Sequence, residues 1–236
     1  MHKAFALMVT LLTVATVQTT ANSARAEDRL VVLELFTSQG CSRCPPAEEM
    51  IREMAQWPDV LPLSLHVDYW DFIGWEDTFA LKANTVRQTA YAPRTQRRRL
   101  FTPLMVVGGL HMVEGYTPMQ VVDHIDRHRD VDTGVRLTVQ RDGAEFSIRA
   151  ESAQTFPTTA VVLLVTYSPQ ERVTIERGEN AGRAAVHTNV VTGWKVLGAW
   201  DGASPLEFAQ PVPDQAAAVV VQAEGQGLVL AAARLR

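Results

Sequence analysis

Apolar residues arrive in short blocks along this chain, and the spacing inside the blocks changes near residue 134. Residues 30–36 are apolar throughout except for Glu34, the pattern of a strand covered on both faces. Thr37, Ser38, Gln39 and Gly40 then break the run with small polar residues suited to a turn. Over 47–57, Met50, Ile51, Met54 and Ala55 recur at helical spacing, with Glu48, Glu49, Arg52 and Glu53 between them. Residues 60–67 predict a second strand. Residues 78–91 predict a helix, with Phe79, Val86 and Ala90 turned inward and Pro93 ending it. Residues 100–107 read as a strand containing Thr102-Pro103, Gly108-Gly109 as a hairpin turn, and 110–114 as the returning strand. Thr117 and Pro118 then open a helix that runs to about Arg129 on an apolar face of Val121, Val122 and Ile125.

From Gly134 the helical period stops. Residues 135–140 and 144–150 flank the turn Arg141-Asp142-Gly143 as a hairpin. Short strand patterns follow at 161–167, 172–175, 186–191, 195–199, 219–222 and 228–235, the spacing expected of a β-sandwich. The expected organisation is therefore an α/β domain over 27–133 followed by a β-rich, sandwich-like module over 134–236.

The first 26 residues stand outside that plan. His2 and Lys3 form a basic start, 4–17 are apolar, and Ala24-Arg25-Ala26 is a small-x-small cleavage site. This is the form of a secretory signal peptide, and it implies a periplasmic or secreted protein. No later apolar stretch is long enough to span a membrane, so no stable membrane anchor is expected. Cleavage would remove Lys3 and Arg25 and no acid, taking the formal charge from −4 to −6. An acidic chain has no broad attraction for nucleic acid. Its one basic cluster, Arg94 with Arg97, Arg98 and Arg99, reads as a solvated helix end or loop.

Export gives meaning to the two cysteines, because an oxidising compartment lets a disulfide persist. Cys41 and Cys44 sit between the first strand and the first helix, with Pro45 and Pro46 in the first helical turn. A helix N-terminus and the nearby Arg43 both stabilise a thiolate. Two intervening residues let the second sulfur reach the first and resolve a mixed disulfide. Cys41 is the expected nucleophile, on the premise that the first cysteine is the exposed one, and Cys44 the resolving thiol. A structural disulfide would gain little from so short a loop. Zinc asks for four ligands, and no second Cys-x-x-Cys exists. A two-thiolate copper(I) site stays open as an alternative, as does a docking module without turnover. Neither a cofactor nor a resident metal is otherwise called for. The expected partners are protein or small-molecule thiols and disulfides. Oligomeric state is not legible.

Two further stretches are candidates for the site. Residues 68–77, DYWDFIGWED, put Tyr69, Trp70, Phe72 and Trp75 in a polar loop. Loops that follow parallel strands gather at one sheet edge, so Trp70 and Trp75 either cap the core or wall a substrate groove beside the thiols. One of them, Trp70 or Trp75, is also expected where the two halves meet, with the second half narrowing access to the sulfurs. Residues 178–183, GENAGR, form a polar loop that either bonds its own backbone or brings Arg183 to a substrate carboxylate.

The element order, with ELFTSQGCSRCPPA, HVDYWDFIGW, TPLMVVGG and RGENAGR in succession, resembles an exported thioredoxin-like family catalogued as a domain of unknown function (number 1223). The resemblance covers essentially the whole mature chain. It implies a thioredoxin-like fold and a thiol–disulfide oxidoreductase role, but no substrate. It also implies that Pro103 is cis and lies beside the cysteine pair, and that Glu34 is the buried acid that takes up a proton during exchange; the residues alone equally allow a plain edge-strand proline and an exposed edge position for Glu34. Gly40 stands where thioredoxins have tryptophan, and Ser42-Arg43 matches no common oxidoreductase dipeptide, so the direction of electron flow is not set.

Overall fold

The computed structural model describes residues 30–235; the signal peptide expected over 1–26 lies outside the described residues. Strand β1 (Val31–Thr37) and strand β2 (Val60–His66) are buried along their whole lengths and pair in parallel, with helix α1 (Pro45–Met54) as the crossover. Strand β3 (Leu104–Val107) runs antiparallel to β1, and β4 (His111–Glu114) returns from it. The turn between them needs both of its glycines. Gly108 and Gly109 have φ of 58° and 73°, and a Cβ on Gly109 would lie 2.2 Å from the Gly227 carbonyl oxygen. Helix α2 (Lys82–Tyr91) follows β2, and helix α3 (Pro118–Arg129) follows β4.

The second half supplies strands β5 (Val135–Asp142), β6 (Glu145–Ser152), β7 (Ala160–Thr174), β8 (Ala184–Trp200), β9 (Leu206–Pro211), β10 (Ala216–Ala223) and β11 (Val229–Leu235). They do not form the expected sandwich. Strand β8 joins β2 in parallel, with Val190 opposite Ser64, and the result is one mixed eight-stranded sheet in the order β11-β10-β7-β8-β2-β1-β3-β4. Only β5, β6 and β9 form a separate sheet. The expected α/β thioredoxin-like domain followed by a sandwich is thus corrected to a mostly β molecule with three α-helices among the described residues and a large mixed sheet running through both halves. The physical reason is the edge of β2. A strand buried on both faces cannot leave its backbone groups unpaired, and sequence periodicity does not say which later strand will pair with it.

The sheet folds back over itself. Leu163 and Val165 of β7, with Ala218 and Val220 of β10, pack in one core with Val32, Phe36, Leu61, Leu63 and Tyr91. On the other face of β1, Leu33 and Leu35 pack with Met50 and Ile51 of α1 and with Val121 and Ile125 of α3. A third core lies between β7, β10 and β11 and the small sheet, around Ile148, Val162, Val219 and Trp200. Among the described residues, no helix is long and apolar enough to cross a membrane.

Helix α2 reverses the expected face. Val86 is 61 % exposed and Ala90 is exposed, while Asn84, Arg87, Gln88 and Tyr91 are buried. Polar side chains win that face because each finds a partner. Asn84 donates to the His66 carbonyl at 3.0 Å, Gln88 to the Phe101 carbonyl at 2.7 Å, and Arg87 meets Glu34.

Candidate functional site

The site is built where the chain leaves β1. Cys41 and Cys44 are joined in a disulfide, with their Cα atoms 5.4 Å apart. Cys44 is the residue that caps α1, and Pro45 and Pro46 fill the first positions where a missing N–H costs nothing. The first donors inside the helix, Ala47 and Glu48, both go to the Cys44 carbonyl, at 2.9 and 3.1 Å. Neither cysteine is exposed, at 1 % and 0 % of its surface. The expectation of an exposed Cys41 is therefore corrected, and only Ser42 and Arg43 of the motif face solvent.

What covers Cys41 comes from both halves. The polar turn before it is held by the loop after β2, since parallel strands bring their C-terminal loops together. Asp77 accepts from the Gln39 backbone N–H and from its side-chain amide, each at 2.8 Å, and Trp75 Nε1 donates to Gln39 Oε1 at 2.7 Å. From the other side, the loop at 178–183 brings Asn180, whose side-chain amide donates to the carbonyls of Gln39 and Cys41 at 2.8 and 3.0 Å. Asn180 is buried in doing so. This loop thus reaches the site through Asn180, with Arg183 exposed beside it. A Cβ on Gly178 would lie 3.5 Å from Trp75 Cβ, so the aromatic loop meets the second half at Trp75.

Beneath the turn lie three buried titratable side chains, His66, Asp77 and His187, and the half-buried Glu48. His66 Nδ1 is 2.7 Å from Asp77 Oδ2, and its ring stands edge-on to that of His187, with centroids 4.6 Å apart. His187 Nδ1 lies 3.2 Å from Glu48 Oε2, within ion-pair range but not aligned as a hydrogen bond. Thr37 Oγ1 donates to the other Glu48 oxygen at 2.7 Å. Burial alone would raise the Glu48 pKa; contact with His187, and then the Thr37 hydroxyl, outweigh it and hold the carboxyl below its ordinary value. Burial works against Asp77 too, and the facing His66 with the Gln39 N–H holds it below its ordinary value. Glu48 follows Cys44 by four residues on α1, so it stands one turn along the same helix face.

At Arg43 a groove opens. The Thr102–Pro103 peptide is cis. Arg43 and Pro103 line one cavity of about 170 Å³ with Phe101 and Tyr116. Arg43, Tyr69, Trp70, Phe72 and Arg99 line a second of about 230 Å³. Arg97, Phe101 and Thr102 are common to both, so the two form one groove.

The structure therefore brings Trp70, Pro103 and the Cys41–Cys44 motif to one surface, through Arg43. It puts Trp75 behind that surface on Gln39, and Arg183 on a separate cavity of about 20 Å³ with Glu48 and His187. Glu34 lies on the opposite face of β1 from α1. Arg87 Nε donates to it at 2.5 Å and the Tyr91 hydroxyl at 2.8 Å, and Arg87 also reaches Gln222 at 2.8 Å. The residues that sequence reasoning passed over are His66, Asp77, Glu48, His187 and Gln39. The four-residue step from Cys44 to Glu48 was the one readable signal, because the others meet only through the pairing of distant strands.

A crystal structure of protein AGR_C_4864 from Agrobacterium tumefaciens is similar over 88 % of this chain and 95 % of its own, at 29 % identity and a TM-score of 0.75. No curated protein matches the chain. Residues 32–224 match the family model described as a protein of unknown function (DUF1223), and the chain therefore belongs to that family.

Proposed function

We propose that this protein is an exported thiol–disulfide oxidoreductase working through Cys41 and Cys44. The observation that carries the reading is the Cys41–Cys44 disulfide at the start of α1, with a groove lined by Arg43 of the motif and by Pro103 beside it. In the exchange, a partner thiolate attacks Cys41 Sγ and the S–S bond breaks, so that Cys44 leaves as a thiolate. The N-terminal end of α1 favours that negative charge through its dipole. A second partner thiolate then attacks the mixed disulfide, leaving Cys41 reduced and the partner oxidised. Two electrons have passed to the protein, and the reverse sequence returns them. The clamp of Asn180 on Cys41 supports a selective enzyme, because the loop at 178–183 must give way, or the partner must enter from the groove. Arg43 lines the way in and Trp70 provides its apolar wall.

A Cys44→Ser variant tests the proposal. With the resolving sulfur gone, partners should accumulate as mixed disulfides on Cys41, released by reductant and visible on non-reducing gels. A folded, exported Cys44→Ser protein that captures nothing would overturn it.

A further inference from the structure

The groove beside the disulfide carries more information than access requires. Its walls are Tyr69, Trp70, Phe72, Phe101 and Tyr116, and Phe72 stands 86 % exposed at its mouth. Among the described residues its charged lining is all arginine: Arg43, Arg97 and Arg99 line it, and no Asp or Glu does. Arg97 is neutralised by Glu114 at 2.9 Å. Arg43 and Arg99 have no ion-pair or hydrogen-bond partner among the described residues. In a chain with 26 acidic and 22 basic residues, two free guanidinium groups flanking an aromatic trough form a local exception. Beneath these walls Tyr69 Oη, Trp70 Nε1 and Thr102 Oγ1 are buried close to one another, so the polar atoms under the trough face each other and the open surface is aromatic and cationic.

We infer that the groove binds an extended segment of another polypeptide, in which aromatic or aliphatic residues are flanked by Asp or Glu. The inference rests on the redox reading above and names its substrate class. An extended chain suits such a trough, because peptide grooves use side-chain pockets for choice. An apolar side chain would enter between Trp70, Phe72 and Phe101. Carboxylates on either side would meet Arg43 and Arg99, where planar guanidinium groups suit bidentate pairing. Arg43, which lines the groove, stands between the two cysteines, and on the redox reading this favours a cysteine-bearing polypeptide over a nucleic acid. The acidic balance of the whole chain agrees.

The test measures binding apart from turnover. The full-length protein, with its disulfide intact, is titrated with labelled short peptides in which serine replaces cysteine. One has an aromatic centre with Asp and Glu flanks, one the same centre with Lys flanks, and one acidic flanks around a serine centre. The acidic aromatic peptide should bind about three- to tenfold tighter than the Lys version at low salt, with the gap closing as salt rises. Arg99→Glu should abolish or reverse that preference. Phe72→Ser should weaken both aromatic peptides alike. Both side chains are exposed, so neither change threatens the fold. Equal affinity for acidic and basic peptides would overturn the inference. So would equal affinity for the serine-centred peptide, or tighter binding of a single-stranded oligonucleotide. If the peptides discriminate but the Cys44→Ser trap stays empty, the groove stands and the redox reading falls. If the trap fills and the peptides do not discriminate, the reverse holds.

Discussion

Glu34 shows how a single buried charge is kept. Its carboxylate takes Arg87 and Tyr91 on the side of α2, and Gln222 ties both of those residues to β10. Arg87→Met would leave that carboxylate buried without its cation, and a loss of roughly 3–5 kcal/mol is expected in urea unfolding. The paired change Glu34→Leu with Arg87→Met should recover most of it, since no charge is then stranded. The identity of Glu34 as a buried acid was legible, because it is the lone acid in an apolar run. Its partner was not, because Arg87 reads as a surface residue until the strand opposite α2 is known. The same holds for Asp77, which passes for one acid among several in DYWDFIGWED yet is buried under Gln39. Asp77 and Glu48 are both held below their ordinary values, so each contributes stability that is fully present above its unfolded pKa of about 4. That contribution is lost as pH falls through the folded value. Thermal melts from pH 7 to pH 2 should therefore show stability falling below about pH 4. Asp77→Asn should start lower and fall less over the same range.

At the scale of elements, the strands before residue 134 were readable and their later neighbours were not. Strand β1, helix α1, strand β2 and helix α3 announce themselves by period, because each meets the core with a regular apolar face. The patterns at 161–167 and 172–175 read as two strands, since Ser168, Pro169 and Gln170 interrupt the apolar period, yet β7 runs through them. It can do so because β8 pairs along it, and hydrogen bonds to a partner do not depend on side-chain polarity. The joint between β8 and β2 is narrow. Beyond the Ser64–Val190 pair, Ser64 Oγ donates to the Thr188 carbonyl at 2.8 Å, and Asn189 donates to the Pro62 carbonyl at 2.8 Å. Asn189 holds φ of 49°, a conformation that asparagine tolerates and a β-branched residue does not. Asn189→Val should cost on the order of 2 kcal/mol by chemical denaturation, and Asn189→Gly less, because glycine loses the bond but keeps the backbone. The loop that β7 and β8 carry is held at its tip by Asn180. Asn180→Ala removes two bonds to the cysteine turn and should speed reduction of the disulfide by dithiothreitol roughly tenfold, with little change in global stability.

Taken whole, the molecule does not come apart where the composition changes. Leu163, Val165, Tyr167, Val191, Ala218, Val220 and Val229 of the second half share one core with Phe36, Leu61, Leu65 and Tyr91 of the first. A chain ending at residue 133 would lose these neighbours, the pairing of β2 with β8 and the Asn180 clamp. It should bind an apolar dye, associate on gel filtration and react faster with small disulfides. A dye-free monomer with unchanged exchange would show instead that the first half suffices. The legible part of the site was the cysteine motif and its proline. The covering part was hidden because Asn180 stands 139 residues beyond Cys41. That distance has a meaning in time. A ribosome adding about 5–20 residues each second takes on the order of ten seconds to travel from Cys41 to Asn180. Throughout that interval the pair has no cover from Asn180. The youth of each molecule is thus its most reactive period, and the loop between β7 and β8 decides when it ends.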